Sequence, residues 1–194
     1  MVNIRVATEA DIAGIRAVGA ATWRDTYTDL VPDGYIEAGL AQSWTHDHFA
    51  QSLANPAYRV HVAAEDGRVV GVAQATRDTA GVGHLWRLYL LREARGRGVG
   101  RALWATTIAS FAPSPARWET SVIAGNPALT FYERLGFRVV GQGTWSAYGY
   151  GVPLIYLALG AATPEGGDRW LVARSCPSTT LRATPPPRTR CGRA

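Results

Sequence analysis

Apolar and polar positions along the chain change period several times, and each change marks an element. Residues 3–7 alternate as a short strand. Thr8 and Asp11 then form a capping-box pattern that predicts a helix to about residue 19, with Ile12, Ile15 and Val18 on one stripe. Trp23, Tyr27, Leu30 and Val31 carry apolar character into a loop punctuated by Pro32 and Asp33-Gly34. Residues 35–53 read as helix in two pieces, ending at Asn55-Pro56. Strand patterns at 59–65 and 68–77 flank Asp66-Gly67, a strong hairpin signal. After a turn at 78–83, residues 85–91 supply a third strand, so the three form an antiparallel meander. A helix follows over 98–111 with Leu103, Trp104, Thr107 and Ile108 inward, then a strand at 117–123 and a helix at 127–135 stopped by Gly136. Strands at 137–143 and 152–159 close the pattern. The intervening helix makes strands 85–91 and 117–123 parallel, with a right-handed crossover. The order is βααβββαβαββ, a mixed sheet of the α/β class that is mostly antiparallel and carries helices on both faces. No internal repeat is visible.

Composition changes this picture at the C-terminal end. Residues 161–194 hold five of the eleven prolines and few large apolar side chains, so the expectation is a folded domain over 1–160 and a disordered tail over 161–194. The chain has 20 basic residues against 15 acidic ones, all the basic ones arginine, and a pI near 9.6. Residues 1–160 carry 14 Arg against 13 acids, and the tail carries six Arg against two. The excess charge lies mostly in the tail, and the nearly neutral domain gives no footprint of a nucleic-acid groove. No run of about 18 apolar residues spans a membrane. The N-terminus lacks a signal-peptide pattern, which points to the cytoplasm. The two cysteines, Cys176 and Cys191, both lie in the tail, so neither a disulfide framework nor a cysteine metal site is expected. His46 and His48, two apart on a helix, do not share a face; they read as solvated residues, and no metal is expected.

The chemistry concentrates at residues 84–103, HLWRLYLLREARGRGVGRAL, which read as strand, glycine turn and helix start. Alternating Gly96, Gly98 and Gly100 let successive N–H groups converge without Cβ interference, and the helix adds the positive end of its dipole. Arg95, Arg97 and Arg101 add charge, so the segment, Val99 included, suits a phosphate. A Walker A loop requires lysine, which the chain lacks. The dinucleotide fingerprint requires G-x-G-x-x-G after the first strand of a βαβ unit, whereas here the glycines run G-x-G-x-G in mid-chain.

Arg95-x-x-Gly98-x-Gly100 after a strand instead resembles the Arg/Gln-x-x-Gly-x-Gly/Ala signature of the GNAT superfamily of N-acetyltransferases. One βα unit later, Asn126-Pro-Ala128-Leu-Thr-Phe131-Tyr132-Glu-Arg-Leu-Gly136-Phe137 resembles that superfamily's second segment. The resemblance covers about residues 3–159. It implies an acetyl-coenzyme A-dependent N-acetyltransferase working by direct transfer in a ternary complex, with the one parallel strand pair splayed around the cofactor. The loop would hold the pyrophosphate, while Leu88, Tyr89 and Leu90 would pair with the pantetheine arm and the Leu90 N–H would face the thioester oxygen. Tyr132 matches the tyrosine on the thiolate side. Asn126 sits one position later than the family's asparagine, and both a cofactor contact and a helix cap fit it. For the general base, alignment from Arg95 points to His84, with Glu119 on the neighbouring strand as the second candidate; an ordinary residue beside a turn is the alternative reading of His84.

The sequence does not name the acceptor; Trp23, Tyr27, Trp44 and Tyr148 are the candidate contacts and would suit a small amine with an apolar body or a peptide N-terminus. The family's habit of dimerising makes a homodimer through the final strands an open expectation. The rival reading is a non-catalytic acyl-coenzyme A-binding module with the same fold.

Overall fold

The computed structural model describes residues 1–160, so the expectation of a disordered tail lies outside the described residues. The elements are β1 (Asn3–Val6), α1 (Ile12–Tyr27), α2 (Tyr35–Ser43), α3 (His46–Ala54), β2 (Tyr58–Glu65), β3 (Arg68–Arg77), β4 (Gly83–Leu90), α4 (Val99–Ala109), β5 (Arg117–Ile123), α5 (Ala128–Arg134), β6 (Arg138–Ala147) and β7 (Tyr150–Gly160). The seven strands form one sheet in the order β1-β2-β3-β4-β5-β7-β6. Only β4 and β5 run parallel; every other neighbouring pair is antiparallel. The mixed α/β sheet with one parallel pair is therefore as its sequence implies.

Local chemistry explains most boundaries. Asp66 and Gly67 have φ of 50° and 79°, the two left-handed residues that a tight hairpin between twisted strands requires. Tyr148 and Gly149, at 57° and 85°, make the same turn between β6 and β7. Gly136, at φ 94°, ends α5 in the left-handed conformation.

Four expectations change. The first helix continues eight residues past Gly19, because Thr22, Trp23 and Tyr27 extend its buried stripe by two turns and the Thr22 hydroxyl donates to the Val18 carbonyl at 2.7 Å. Trp23 and Tyr27 are thus helical, not in a loop. Leu91 falls just outside β4. Strands β6 and β7 are longer than their patterns suggest, and β7 inserts between β5 and β6. His46 is exposed as expected, but His48 is buried against Phe49 with its pKa down to about 4, through burial first and the nearby Arg87 second. The longest helix is α1, and among the described residues none is long and apolar enough to cross a membrane.

The sheet separates two layers. Helices α4 and α5 pack on one face over Leu85, Trp104, Trp118, Tyr132 and Phe137, with Val70, Ala73 and Leu103 continuing the layer toward β2. The helices α1, α2 and α3 cover the other face, where Trp44 meets Tyr89 and Phe49. Arg5 on β1 grips Asp11 through two bonds of 2.7 Å, and Asp11 also accepts from the Thr8 N–H and hydroxyl, which fixes the entry into α1. The bond from Arg5 is the main cause that holds the Asp11 carboxyl down at about 2. Because that value lies below the unfolded one, the contribution is full above pH ~4 and is lost as pH falls through about 2. Asp11→Asn should cost about 2 kcal/mol at pH 7, and its stability deficit in urea titrations should close between pH 4 and 2.

Candidate active site

The site begins where β4 and β5 stop pairing. Their parallel register holds only Gly83 with Trp118 and His84 with Glu119. One step further the Thr120 hydroxyl reaches across to the Leu85 carbonyl at 2.9 Å, and then the strands part. Each remains paired on its other side, β4 with β3 at every residue but Trp86 and β5 with β7 throughout. The register shift opposite Trp86 gives β4 one extra residue. As a result Leu85, Leu88 and Leu90 serve the layer under α4, while Tyr89 reaches Trp44 and Tyr27 on the opposite face. The Leu91 N–H donates to Val70 on β3 at 2.9 Å, so strand alternation turns the N–H and C=O of Leu88 and Leu90 into the gap.

At the wide end of the gap lies the glycine turn. Gly96 and Gly98 have φ of 72° and 78°, and Gly98 caps α4. A methyl group at either position would meet no atom within 4 Å, so backbone angle and not crowding demands glycine there. Gly100 is different: its Cβ would stand 3.1 Å from Leu90 and 3.3 Å from Phe131. The first-turn N–H groups of α4 have no partner within the helix and carry the positive end of its dipole. The arginines turn elsewhere. Arg95 donates to the Leu90 carbonyl at 3.0 Å and pairs with Asp25 at 2.8 Å; Arg92 binds the same carboxylate. Arg97 forks onto Glu65 at 2.6 and 3.0 Å. Arg101 reaches the Arg134 carbonyl at 3.5 Å. Bonds from Arg92 and Arg97 are the main causes holding the Asp25 and Glu65 carboxyls below their usual range.

Tyr132, on α5, is buried between Phe131 and Phe137, and burial pushes its phenol pKa up while Thr120 pulls against that. Thr120 also bonds Leu85, so the side chain that acts on the Tyr132 phenol stands at the closed end of the gap. Asn126 is buried, and its side-chain oxygen accepts the Ala128 N–H at 2.9 Å, a turn bond that leads the chain into α5.

On the other face of the sheet the two candidate bases come together. His84 Nδ1 stands 3.8 Å from Glu119 Oε2, and Nε2 lies 3.0 Å from Asp78 Oδ2. The Arg117 Nε holds the second Glu119 oxygen at 2.8 Å. The His84 ring stacks on Trp86, whose indole N–H donates to Thr76 at 2.8 Å.

Trp23, Tyr27, Trp44 and Tyr148 also come together, on the α1–α3 side. Trp23 stacks on Tyr35 at 6.1 Å and meets Tyr27, Trp44 and Tyr148 edge-on or tilted. Trp23, Tyr27 and Trp44 are buried, the last pressed against Gly19. Tyr148 is half-buried at the β6–β7 turn, its hydroxyl donating to Ser43 at 3.0 Å. The Tyr27 and Tyr89 hydroxyls are 3.1 Å apart. Burial raises the Tyr89 phenol pKa, and the hydrogen bond with Tyr27 pulls against that. Among the described residues, no three His, Cys, Asp or Glu side chains are arranged to hold a metal ion.

Sequence reasoning missed three residues here. Asp78 opens the Asp-Thr-Ala-Gly turn before β4, a visible turn signal that gave no hint of His84. Thr120 lies one step past Glu119 on an ordinary strand pattern. Asp25 meets Arg95 across 70 residues, which no local pattern encodes.

Comparison with known proteins agrees with this geometry. The acetyltransferase (GNAT) domain family matches residues 27–153. The uncharacterized N-acetyltransferase YuaI of Bacillus subtilis (strain 168) is 32% identical over 143 residues, 69% of this chain and 78% of that protein. The uncharacterized N-acetyltransferase Rv2669 of Mycobacterium tuberculosis (strain ATCC 25618 / H37Rv) is 29% identical over 140 residues, 71% of this chain and 88% of that one. Among solved structures, the PaiA N-acetyltransferase of Thermoplasma acidophilum in complex with coenzyme A superposes with a TM-score of 0.67 at 20% identity, covering 79% of this chain and 98% of that chain. A GCN5-related N-acetyltransferase from Rhodopseudomonas palustris gives 0.68 at 20%, covering 82% and 95%.

Thr120→Val keeps the shape of the side chain and leaves the Leu85 carbonyl unpaired. It should lower unfolding stability in urea by about 1–3 kcal/mol.

Proposed function

This chain belongs to the GNAT acetyltransferase family, and we propose that it transfers the acetyl group of acetyl-coenzyme A to the primary amine of a small molecule, or to a peptide N-terminus, by direct attack in a ternary complex. The observation that carries this reading is the gap between β4 and β5, with a glycine-built helix N-terminus at its wide end and the Tyr132 hydroxyl at its closed end. The residues suit the coenzyme. Gly96 and Gly98 leave a turn without Cβ atoms, the first-turn amides of α4 suit a pyrophosphate, and the gap-facing N–H groups of Leu88 and Leu90 suit the amides of an extended pantetheine arm. Bound there, the coenzyme supplies an activated thioester.

Reach decides which amide polarises the thioester carbonyl. Strand rise puts Leu88 roughly 13 Å from His84 and Leu90 roughly 20 Å away. The closed end, where Tyr132 and Thr120 meet, is level with Leu85. We therefore assign the thioester oxygen to the Leu88 N–H, two residues earlier than the sequence alignment puts it, and leave Leu90 to the pantetheine arm. Tyr132 acts on the sulfur. Its phenol, raised in pKa by burial, stays protonated at neutral pH and donates a hydrogen bond to the leaving thiolate, which is a weaker base than a phenolate. His84 and Glu119, on the opposite face, take the proton that the attacking amine must lose, through water at this range. Tyr148, partly exposed over α1 and α2, is the side chain of the aromatic cluster that meets the acceptor first.

The test is thiol release from acetyl-coenzyme A with a panel of small primary amines and short peptides. Tyr132→Phe should lower kcat about ten- to a hundredfold with acetyl-coenzyme A affinity retained within about threefold. A parent that binds the coenzyme and acetylates nothing supports the non-catalytic module instead.

Cofactor grip is tested separately. Gly98→Ala forces an L-residue to φ 78°, a cost of about 1–2 kcal/mol, and should weaken coenzyme A binding by calorimetry about tenfold. Arg97→Gln, which removes a side chain already committed to Glu65, should stay within about threefold of the parent.

A further inference from the structure

His84 has two nitrogens, and only one can accept a proton. Asp78 decides which. Its Oδ1 accepts the backbone N–H groups of Ala80 and Val82, both at 2.9 Å, so the turn between β3 and β4 fixes the carboxylate before it meets any partner. Its Oδ2 then lies 3.0 Å from His84 Nε2. A carboxylate accepts hydrogen bonds and donates none, so neutral His84 carries its proton on Nε2. The ring cannot turn away easily, because it stacks on Trp86, and Trp86 is itself tied to Thr76.

From this we propose that Asp78 is a positioning residue that holds His84 as the Nε2–H tautomer and so makes Nδ1, the nitrogen toward Glu119 and the start of the gap, the atom that takes the amine's proton. The inference rests on the acetyl-transfer reading above. The proton balance is simple: a water gives a proton to Nδ1 and receives one from the attacking amine, while the Nε2 proton stays on the Asp78 bond. The imidazolium that forms then sits between two carboxylates. The charged groups facing it are Asp78 from the turn and Glu119 from β5, with Arg117 drawing on the far oxygen of Glu119; Trp86 and Thr76 complete the surround without charge. Asp78 itself stays ionised. Burial pushes its pKa up, but the bonds from His84 and from the Val82 and Ala80 amides outweigh that and leave it below the usual range.

Asp78→Asn is the discriminating variant, because an asparagine Oδ1 keeps both turn bonds while an amide replaces the carboxylate oxygen at His84. Nitrogen NMR of the 15N-histidine-labelled protein reads the tautomer without any substrate. The expected result is Nε2–H in the parent and a shift toward Nδ1–H in Asp78→Asn. An unchanged tautomer overturns the proposal. In thiol-release assays with acetyl-coenzyme A and the best amine of the panel, kcat should fall about ten- to a hundredfold with the acid limb of its pH profile displaced and the KM for acetyl-coenzyme A unchanged. A rate loss with an undisplaced profile means a merely structural role and also overturns it. Absence of turnover in the parent sinks the acetyl-transfer reading instead, and the NMR result still decides what Asp78 does to His84.

Discussion

Two parallel strands that pair for two residues and then part set the terms for the rest of this molecule. Backbone N–H and C=O groups in the middle of a sheet must be satisfied, and opening a sheet at its centre strips both facing edges at once. The fold contains the cost on the outer sides: β3 pairs with β4 through Leu90, and β7 pairs with β5 through Ile123. The opening itself is shaped by side chains. Thr120 bridges to Leu85 at the point of divergence, Gly100 lets α4 close on Leu90, and Arg95 caps the Leu90 carbonyl at the far end. What remains is a short row of amides aimed at whatever extended, amide-bearing chain enters, which is the chemistry of a pantetheine arm.

Most of the scaffold was legible in the sequence because periodicity reports local geometry. The meander over β2, β3 and β4 followed from alternation and from Asp66-Gly67, and the parallel pair followed from the helix between its strands. The insertion of β7 between β5 and β6 was not legible. Strand order depends on which edges meet after folding, and the patterns of β6 and β7 fit either arrangement. The first helix was underestimated because Trp23 and Tyr27, poor helix formers in isolation, are held there by tertiary packing. His48 was misread for a similar reason. Helical spacing excluded a shared face with His46 but could not say that one of the two faces is buried.

The site divides the same way. The glycines were readable because a φ of 78° leaves a residue type as its trace. Asp78, Thr120 and Asp25 were not, since their roles lie in partners that sequence distance hides. The aromatic residues illustrate the limit from the other side. Trp23, Tyr27, Trp44 and Tyr148 do gather at one place, yet three of the four are spent on packing against one another and against Gly19 and Gly39. An aromatic cluster that is closely self-packed builds a wall, and the one member left half-buried at its rim is Tyr148, on a tight turn over α2.

Electrostatics at the glycine turn argues the final step. A chain with arginine at positions 92, 95, 97 and 101 looks at first like a phosphate trap built from side-chain charge. Yet Asp25 takes Arg92 and Arg95, and Glu65 takes Arg97. These pairs are partly exposed, so each adds little to stability. Their effect is on selectivity. A loop with four unbalanced guanidinium groups would attract polyanions of any shape over a Debye length of about 10 Å. With two of the four charges offset by Asp25 and Glu65, more of the attraction falls to the helix N-terminus and the oriented amides of the turn, which act over a few ångströms and only on an anion of the right shape. Asp25 also joins α1 to Arg95, which touches the gap at Leu90. The same ion pair that offsets charge at the turn thus ties the first helix to the open end of the gap, so that the two faces of the sheet are held in one frame where β4 and β5 diverge.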